Sequence, residues 1–379
     1  MDLIKPHPVL PEHPPLPSFT PPSNRMTVFV IDNLPIRVEK IRAVFGNFYD
    51  LQVFSDGRKA LDAMQKNPPV AVLTDDHCLH SCGFGIHRTK CNSSNLKHIP
   101  FFIVSDELNG PYVAGNGNGA ADYFLKRPIN LEHLFDLVAQ TTNKKVEDSW
   151  KTLPKQTREA LQTSADGFDA IAKSVANNTP LDKSKITSSC NPLLACVQDG
   201  EMQNLLQGLK NHQSFIYTHS MRVAIFMCAF GKAYNVSESE SAMLTSGGFL
   251  HDIGEILLPH NLIYKHGRFT HKELILMRHH VEETEAIIAS IKNVSPVIQT
   301  IAELHHERLD GTGYPHGLQG SEINELGRMI AIADVFAALT DVRPHRTSLD
   351  AATALDQMQQ RTTAFDQDML RLFREIIEN

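Results

Sequence analysis

Val28-Phe29-Val30-Ile31-Asp32-Asn33 is a short apolar run that stops abruptly on two polar residues. The figure returns at Val70-Ala71-Val72-Leu73, which leads to Asp75-Asp76, and at Phe101-Phe102-Ile103-Val104, which ends at Ser105. Runs this short, without polar alternation, suit strands buried on both faces. Helical patterns lie between some of them, as in Lys59 to Gln65. Strand alternating with helix predicts a doubly wound α/β domain with a parallel sheet. In such a sheet the residues just beyond the strand ends form the site.

Residues 1–24 hold eight prolines, including Pro14-Pro15-Leu16-Pro17. They exclude a helix or a central strand and predict an extended tail, a candidate docking segment. Residues 146–200 predict a helical linker, with Phe168, Ile171 and Val175 as an apolar stripe for packing. From 201 to 379 nearly every segment has helical periodicity, which predicts an all-α domain. A chain of 379 residues accommodates this number of domains. The formal charge of -7 argues against a nucleic-acid polymer as partner. An anionic substrate then needs a local positive centre, from basic side chains or metal ions. Cys78, Cys82, Cys91, Cys190, Cys196 and Cys228 are sparse and irregular, which fits a reducing compartment better than disulfides. Their spacing matches no zinc module. No apolar run is long enough for a membrane span, and no secretory signal is evident, so a cytoplasmic protein is expected.

Residues 25–145 resemble a response-regulator receiver domain. Asp32, Asn33, Asp75, Ser105 and Lys126 fall where that family places its acidic residues, phosphorylated aspartate, hydroxyl and lysine. The resemblance makes Asp75 the candidate phosphoacceptor. Asn33 stands where a second metal-binding carboxylate is usual, and Lys126-Arg127-Pro128 replaces the family's Lys-Pro. A receiver-like fold kept for docking or dimerisation is the alternative.

Most of the 19 histidines lie after residue 200. His251-Asp252 follows Gly247-Gly248-Phe249-Leu250 and precedes Ile253-Gly254. Neighbours on a helix point about 100° apart, so this imidazole and carboxylate can reach one metal. The carboxylate can extend to a second. His305-His306-Glu307 repeats the adjacency on a later helix, and His219, His280 and Asp334 stand within amphipathic helices. Imidazole with carboxylate suits zinc, iron, manganese or nickel without any thiolate.

Leu250-His251-Asp252-Ile253-Gly254, with His305-His306-Glu307-Arg308-Leu309-Asp310-Gly311-Thr312-Gly313-Tyr314-Pro315, resembles the HD-GYP family. That family is a branch of the HD phosphohydrolases. The likeness runs from about Leu205 to the end and includes Ala333-Asp334-Val335-Phe336, Arg343-Pro344 and Phe365-Asp366. It implies a bacterial signalling phosphodiesterase that hydrolyses cyclic di-GMP to the linear dinucleotide pGpG or to GMP. It also implies His219, His251, Asp252, His280, His305, His306 and Asp334 as metal ligands. Asp252 would bridge and be the catalytic carboxylate. One ion would take His219, His251 and Asp334, the other His280, His305 and His306. Two divalent transition-metal ions are expected, iron first, with manganese or zinc as alternatives. Phe215 stands where some relatives have a glutamate for a third ion. In the Gly-Tyr-Pro loop, Gly311 and Gly313 permit positive φ. Arg308 and Asp310 would order the loop around Tyr314 and Pro315, a contact surface for a signalling partner.

Four positions depart from that pattern. Glu255 replaces a lysine, Ala337 an aspartate, His345 a tyrosine and Thr284 a glycine. Lys265 and Arg343 remain as candidate phosphate contacts. These departures open two further readings: an inactive cyclic-dinucleotide sensor or protein scaffold, and a hydrolase of another phosphoester.

Overall fold

The computed structural model describes residues 25–46, 48–76, 83–106, 122–210, 212–263, 265, 267–341 and 348–378. The proline-rich segment 1–24, Cys78, Cys82 and Arg343-Pro344-His345 lie outside them. The N-terminal unit runs β1 (Thr27–Ile31), α1 (Pro35–Phe45), β2 (Asp50–Phe54), α2 (Gly57–Lys66), β3 (Ala71–Asp75), α3 (Gly83–Cys91), β4 (Phe101–Ser105), β5 (Tyr123–Lys126) and α4 (Leu131–Ser149). The strands are all parallel, in the order β2-β1-β3-β4-β5.

Both faces of the sheet are covered, as the unbroken apolar runs predict. Side chains alternate along a strand, so each run feeds two cores. Val28, Val30, Leu73 and Phe102 pack with Ile41 and Phe45 of α1 and Phe135 and Val138 of α4. Phe29, Ile31, Val72 and Ile103 pack on the other face with Ala60 and Met64 of α2 and Ile86 of α3. Parallel direction brings Ile31, Asp75 and Ser105 to one sheet edge. β2 and β5 are edge strands and partly exposed, so they lack the unbroken apolar signal that marks the inner three.

Helix α4 starts at Asn130, whose side chain accepts the N–H groups of Glu132 and His133. It continues past residue 145 to Ser149, so the expected start of the linker lies inside a helix. A 3-10 turn, Trp150–Thr152, follows. There Trp150 is buried, and its Nε1–H donates to Gly208 O at 2.7 Å.

The rest is helical: α5 (Lys155–Ala176), α6 (Lys183–Gln198), α7 (Met202–Leu209), α8 (Phe215–Ala233), α9 (Glu238–Leu250), α10 (His260–Ile263), α11 (His271–Ala289), α12 (Pro296–Leu304), α13 (Glu325–Thr340), α14 (Ala351–Gln360) and α15 (Gln367–Glu378). The α5–α6 hairpin is packed, not a free spacer. Phe168 lies 5.6 Å from Tyr217 and 5.5 Å from Phe249, ring to ring, in a core shared with α8 and α9. Helix α8 is apolar on nearly every side, and from Val223 to Gly231 every residue of it is buried. Its other face meets Phe336 of α13 and Phe373 of α15 through Phe226. Among the described residues no helix is long and apolar enough to cross a membrane.

Candidate metal centre

Five helices deliver the seven predicted ligands. His219 comes from the second turn of α8, His280 from the middle of α11 and Asp334 from the middle of α13. The two adjacent pairs differ from expectation. His251-Asp252 and His305-His306 lie in the turns that end α9 and α12, not within a helix. That placement has a physical use. The last carbonyls of a helix lack main-chain partners, and its C-terminal end favours a cation. His251 Nδ1–H donates to Gly248 O at 2.7 Å, and His305 Nδ1–H to Ala302 O at 2.6 Å. His280 Nδ1–H donates likewise to Met277 O at 2.6 Å. Each bond leaves a lone pair on the inward Nε2.

The ligand atoms form two groups that share Asp252: one with His219, His251 and Asp334, the other with His280, His305 and His306. The two oxygens of Asp252 divide between them. Oδ1 lies 3.2 Å from His280 Nε2 and 3.1 Å from His305 Nε2. Oδ2 lies 3.4 Å from His219 Nε2 and 3.2 Å from His251 Nε2. Asp334 reaches His219 Nε2 at 3.2 Å and His306 Nδ1 at 3.4 Å.

The donor set fits divalent cations. His219 Nε2, His251 Nε2 and Asp252 Oδ1 are buried and unbonded, although opposite charges lie close by. His280 Nε2 and His305 Nε2 face each other at 3.3 Å. With both Nδ1 atoms donating elsewhere, those lone pairs repel unless a cation or a proton lies between them. Without a cation, protons must do the work. Burial alone would lower the pKa of His219, but Asp252, Asp334 and Asp341 hold it well above its usual value. For His280, burial is likewise outweighed by the bond and charge of Asp252, which raise it to about 9. Burial and the charge of His305 push His306 well below its usual value. Against burial, the surrounding histidines hold Asp252 and Asp334 well below the carboxylate range.

Neighbouring residues shape the mouth. The Tyr314 ring lies 4.5 Å from that of His306, and the Arg278 guanidinium sits over Tyr314 at 4.6 Å. Glu307 organises the Gly-Tyr-Pro loop, a role not read from the sequence. Its carboxylate accepts the N–H groups of His316, Gly317 and Leu318 at 2.7, 3.1 and 2.9 Å. Arg308 donates to the carbonyls of His305 and Glu307, and Asp310 accepts from Thr312. Gly311 has φ +76, but Gly313 is needed for space: a Cβ there would sit 2.5 Å from Glu307 Cα and Arg308 N. Pro315 follows a cis peptide bond.

The departures also find places. Thr284 accepts the Gly254 N–H at 2.9 Å through its hydroxyl, tying the turn after Asp252 to α11. A Cβ on Gly254 would run into His280 O and lie 2.7 Å from Thr284 N. Gly254→Ala is therefore expected to cost roughly 1–3 kcal/mol in denaturant unfolding, and a loss within experimental error would show slack in that turn. Glu255 is buried, and its charge acts on His280. Lys265, read as a phosphate contact, is ion-paired with Glu273 at the start of α11. The other such candidate, Arg343, lies outside the described residues.

At the receiver-like sheet edge Asp75 is buried against two guanidinium groups. Arg37 Nη2 lies 2.9 Å from Asp75 Oδ2, and Arg127 contacts the same oxygen. Arg37 also binds Asp32 through Nε at 2.7 Å and Nη2 at 2.8 Å. Lys126 ends β5 with an exposed side chain, and it is Arg127, the next residue, that reaches Asp75. His87, Cys91 and Asp122 also cluster, but the Lys90 ammonium already donates to Asp122 at 2.5 and 2.7 Å. That cluster is an ion pair, and Cys190, Cys196 and Cys228 are buried free thiols elsewhere.

The HD domain family matches residues 204–369. A cyclic di-GMP phosphodiesterase of Pseudomonas aeruginosa is 33% identical over 165 residues, 44% of this chain and 40% of that protein. The 3'3'-cGAMP-specific phosphodiesterase 2 of Vibrio cholerae is 33% identical over 174 residues, 45% of this chain and 33% of that protein. A probable cyclic di-GMP phosphodiesterase of Vibrio cholerae is 25% identical over 92% of this chain and 77% of that protein. The chain thus spans less than half the length of the first two relatives.

Proposed function

We propose that the chain is an HD-GYP protein with an N-terminal receiver-like domain and that it hydrolyses cyclic di-GMP at a binuclear metal site. The observation that carries this reading is the division of Asp252, one oxygen toward each histidine group. His219, His251 and Asp334 would hold one ion and His280, His305 and His306 the other, with iron first and manganese or zinc as alternatives. Such ions, when bound, stabilise charge gathering on a phosphodiester and ease removal of a proton from water.

The chain's own residues supply the rest. Main-chain bonds to His251, His280 and His305 fix those rings before substrate arrives, so no reorganisation is needed during reaction. Tyr314 covers His306 and gives a base or ribose an aromatic surface to lie against. The expected reaction adds water at phosphorus and expels the ribose oxygen, giving pGpG and then GMP. The Gly-Tyr-Pro loop and the receiver-like domain are the surfaces offered to a signalling partner.

The test is direct. Metal-loaded protein supplied with iron, manganese or zinc should linearise cyclic di-GMP, with 3'3'-cGAMP and linear nucleotides as comparison substrates. No turnover under any of these metals would overturn the reading. Binding without turnover would select the sensor or scaffold, which buried Glu255 beside His280 favours.

Asp75 belongs to the same proposal. With Arg37 and Arg127 on its carboxylate, it serves as an ion-pair anchor, and the receiver-like domain acts by docking. Acetyl phosphate with magnesium should leave the intact mass unchanged. An acid-labile phosphate on Asp75 would restore the phosphoacceptor reading.

A further inference from the structure

Three of the imidazoles are oriented by main-chain carbonyls, but His219 Nδ1 is bonded to a side chain. Its N–H donates to Asp341 Oδ2 at 2.7 Å. Asp341 is 5% exposed and lies 122 residues away in sequence. Its other oxygen pairs with Arg222, three residues after His219 on α8. Arg222 Nη2 in turn donates to Thr340 Oγ1 at 2.6 Å. Asp341 ends α13, and its own N–H donates to Ala337 O at 2.8 Å.

We infer that Asp341, clamped by Arg222, is a positioning residue that holds His219 with Nε2 toward Asp252 and Asp334 and so sets the affinity of that half of the site. The inference rests on the two-ion reading above. It goes beyond the ligand set, because Asp341 itself faces Nδ1, away from the ligand atoms.

A neutral imidazole can carry its proton on either nitrogen, and the bond at one fixes the role of the other. His219 Nε2 lies within 3.4 Å of two carboxylates. A proton on Nε2 would suit them and would remove the lone pair that a cation needs. Asp341 opposes that tautomer by accepting the proton at Nδ1. A carboxylate there also makes the imidazole a stronger donor than a main-chain carbonyl does. Arg222 keeps Asp341 from turning away. Residues 334, 337 and 341 follow one face of α13 at spacings of three and four. The carboxylate missing at Ala337 thus returns one turn later on the same face.

The experiment is a calorimetric titration of the metal-free full chain with Mn²⁺, the bound ions being counted by elemental analysis. Wild type should bind two. Asp341→Asn keeps the shape and removes the charge, and it should weaken one ion by about 10–100-fold. The second ion should bind as it does in wild type. Arg222→Gln keeps the carboxylate and releases its clamp, so it should weaken the same ion by a smaller factor, and it carries the test if Asp341→Asn does not fold. In a His280→Gln background, which leaves the His219 half intact, the Asp341→Asn loss should persist. Two variants that bind both ions as wild type does would sink the inference alone. Equal weakening of both ions would reduce Asp341 to a structural role. A wild type that binds no Mn²⁺ would instead remove the two-ion reading, and the inference with it.

Discussion

Asp252→Asn is expected to lower turnover by on the order of 10³-fold, about 4 kcal/mol of barrier. The carboxylate lies between two histidine groups and turns one oxygen toward each. An amide of the same shape keeps one oxygen and presents an NH₂ where the second lone pair was. That NH₂ cannot ligate, so one half of the site loses its share. The side chain is buried among histidines and sheds its negative charge without a change in volume, so the fold should survive. Steady-state hydrolysis of cyclic di-GMP, with metal content measured on the same sample, checks this. A variant within tenfold of wild type would mean that Asp252 is not the bridge.

Removing the metals should lower the melting midpoint by roughly 15–30 °C. At a thousandfold excess over its dissociation constant, each ion contributes about 4 kcal/mol. Each kcal/mol is worth about 2–4 °C in a domain of this size. The pH dependence should also change sign. Without metal, burial lowers the His280 pKa, but the bond and charge of Asp252 and the charge of Glu255 raise it to about 9. That folded value exceeds the unfolded value of about 6.5. The stabilisation is therefore complete below about pH 6.5 and is lost as pH rises through about 9. With metal, a cation must displace the same proton, so stability should rise over that interval. Denaturant midpoints at several pH values, with and without chelator, read both slopes. Parallel slopes would contradict the assignment of His280 as a ligand.

The parts of this molecule legible in its sequence are those where local chemistry repeats. Unbroken apolar runs mark β1, β3 and β4 because both sheet faces need them. The edge strands β2 and β5 carry no such mark. The adjacent His-Asp and His-His pairs were readable as candidates, and the division into two sets came from the family resemblance; in the structure these side chains lie in two groups that share Asp252. The orienting shell was not readable. Asp341 meets His219 across 122 residues, and no local spacing announces it. Arg37 looks like an ordinary first-turn helix residue until the sheet edge brings Asp75 against it. Glu307 sits inside a recognisable motif, yet its task is to collect three main-chain N–H groups that exist only once the loop has turned. The role of Gly313 depends in the same way on a backbone that passes close by.

Trp150 is the only tryptophan in the chain and lies where α4, which covers the sheet, gives way to the helical part. Its indole is buried, bonded to Gly208 O and stacked near His212 at 6.5 Å. A movement that draws residue 150 away from Gly208 would break that bond and wet the ring. The unlabelled chain therefore carries its own optical gauge of how its halves are seated. Its emission would report that seating during nucleotide, metal or partner titrations, with no second indole to blur the signal.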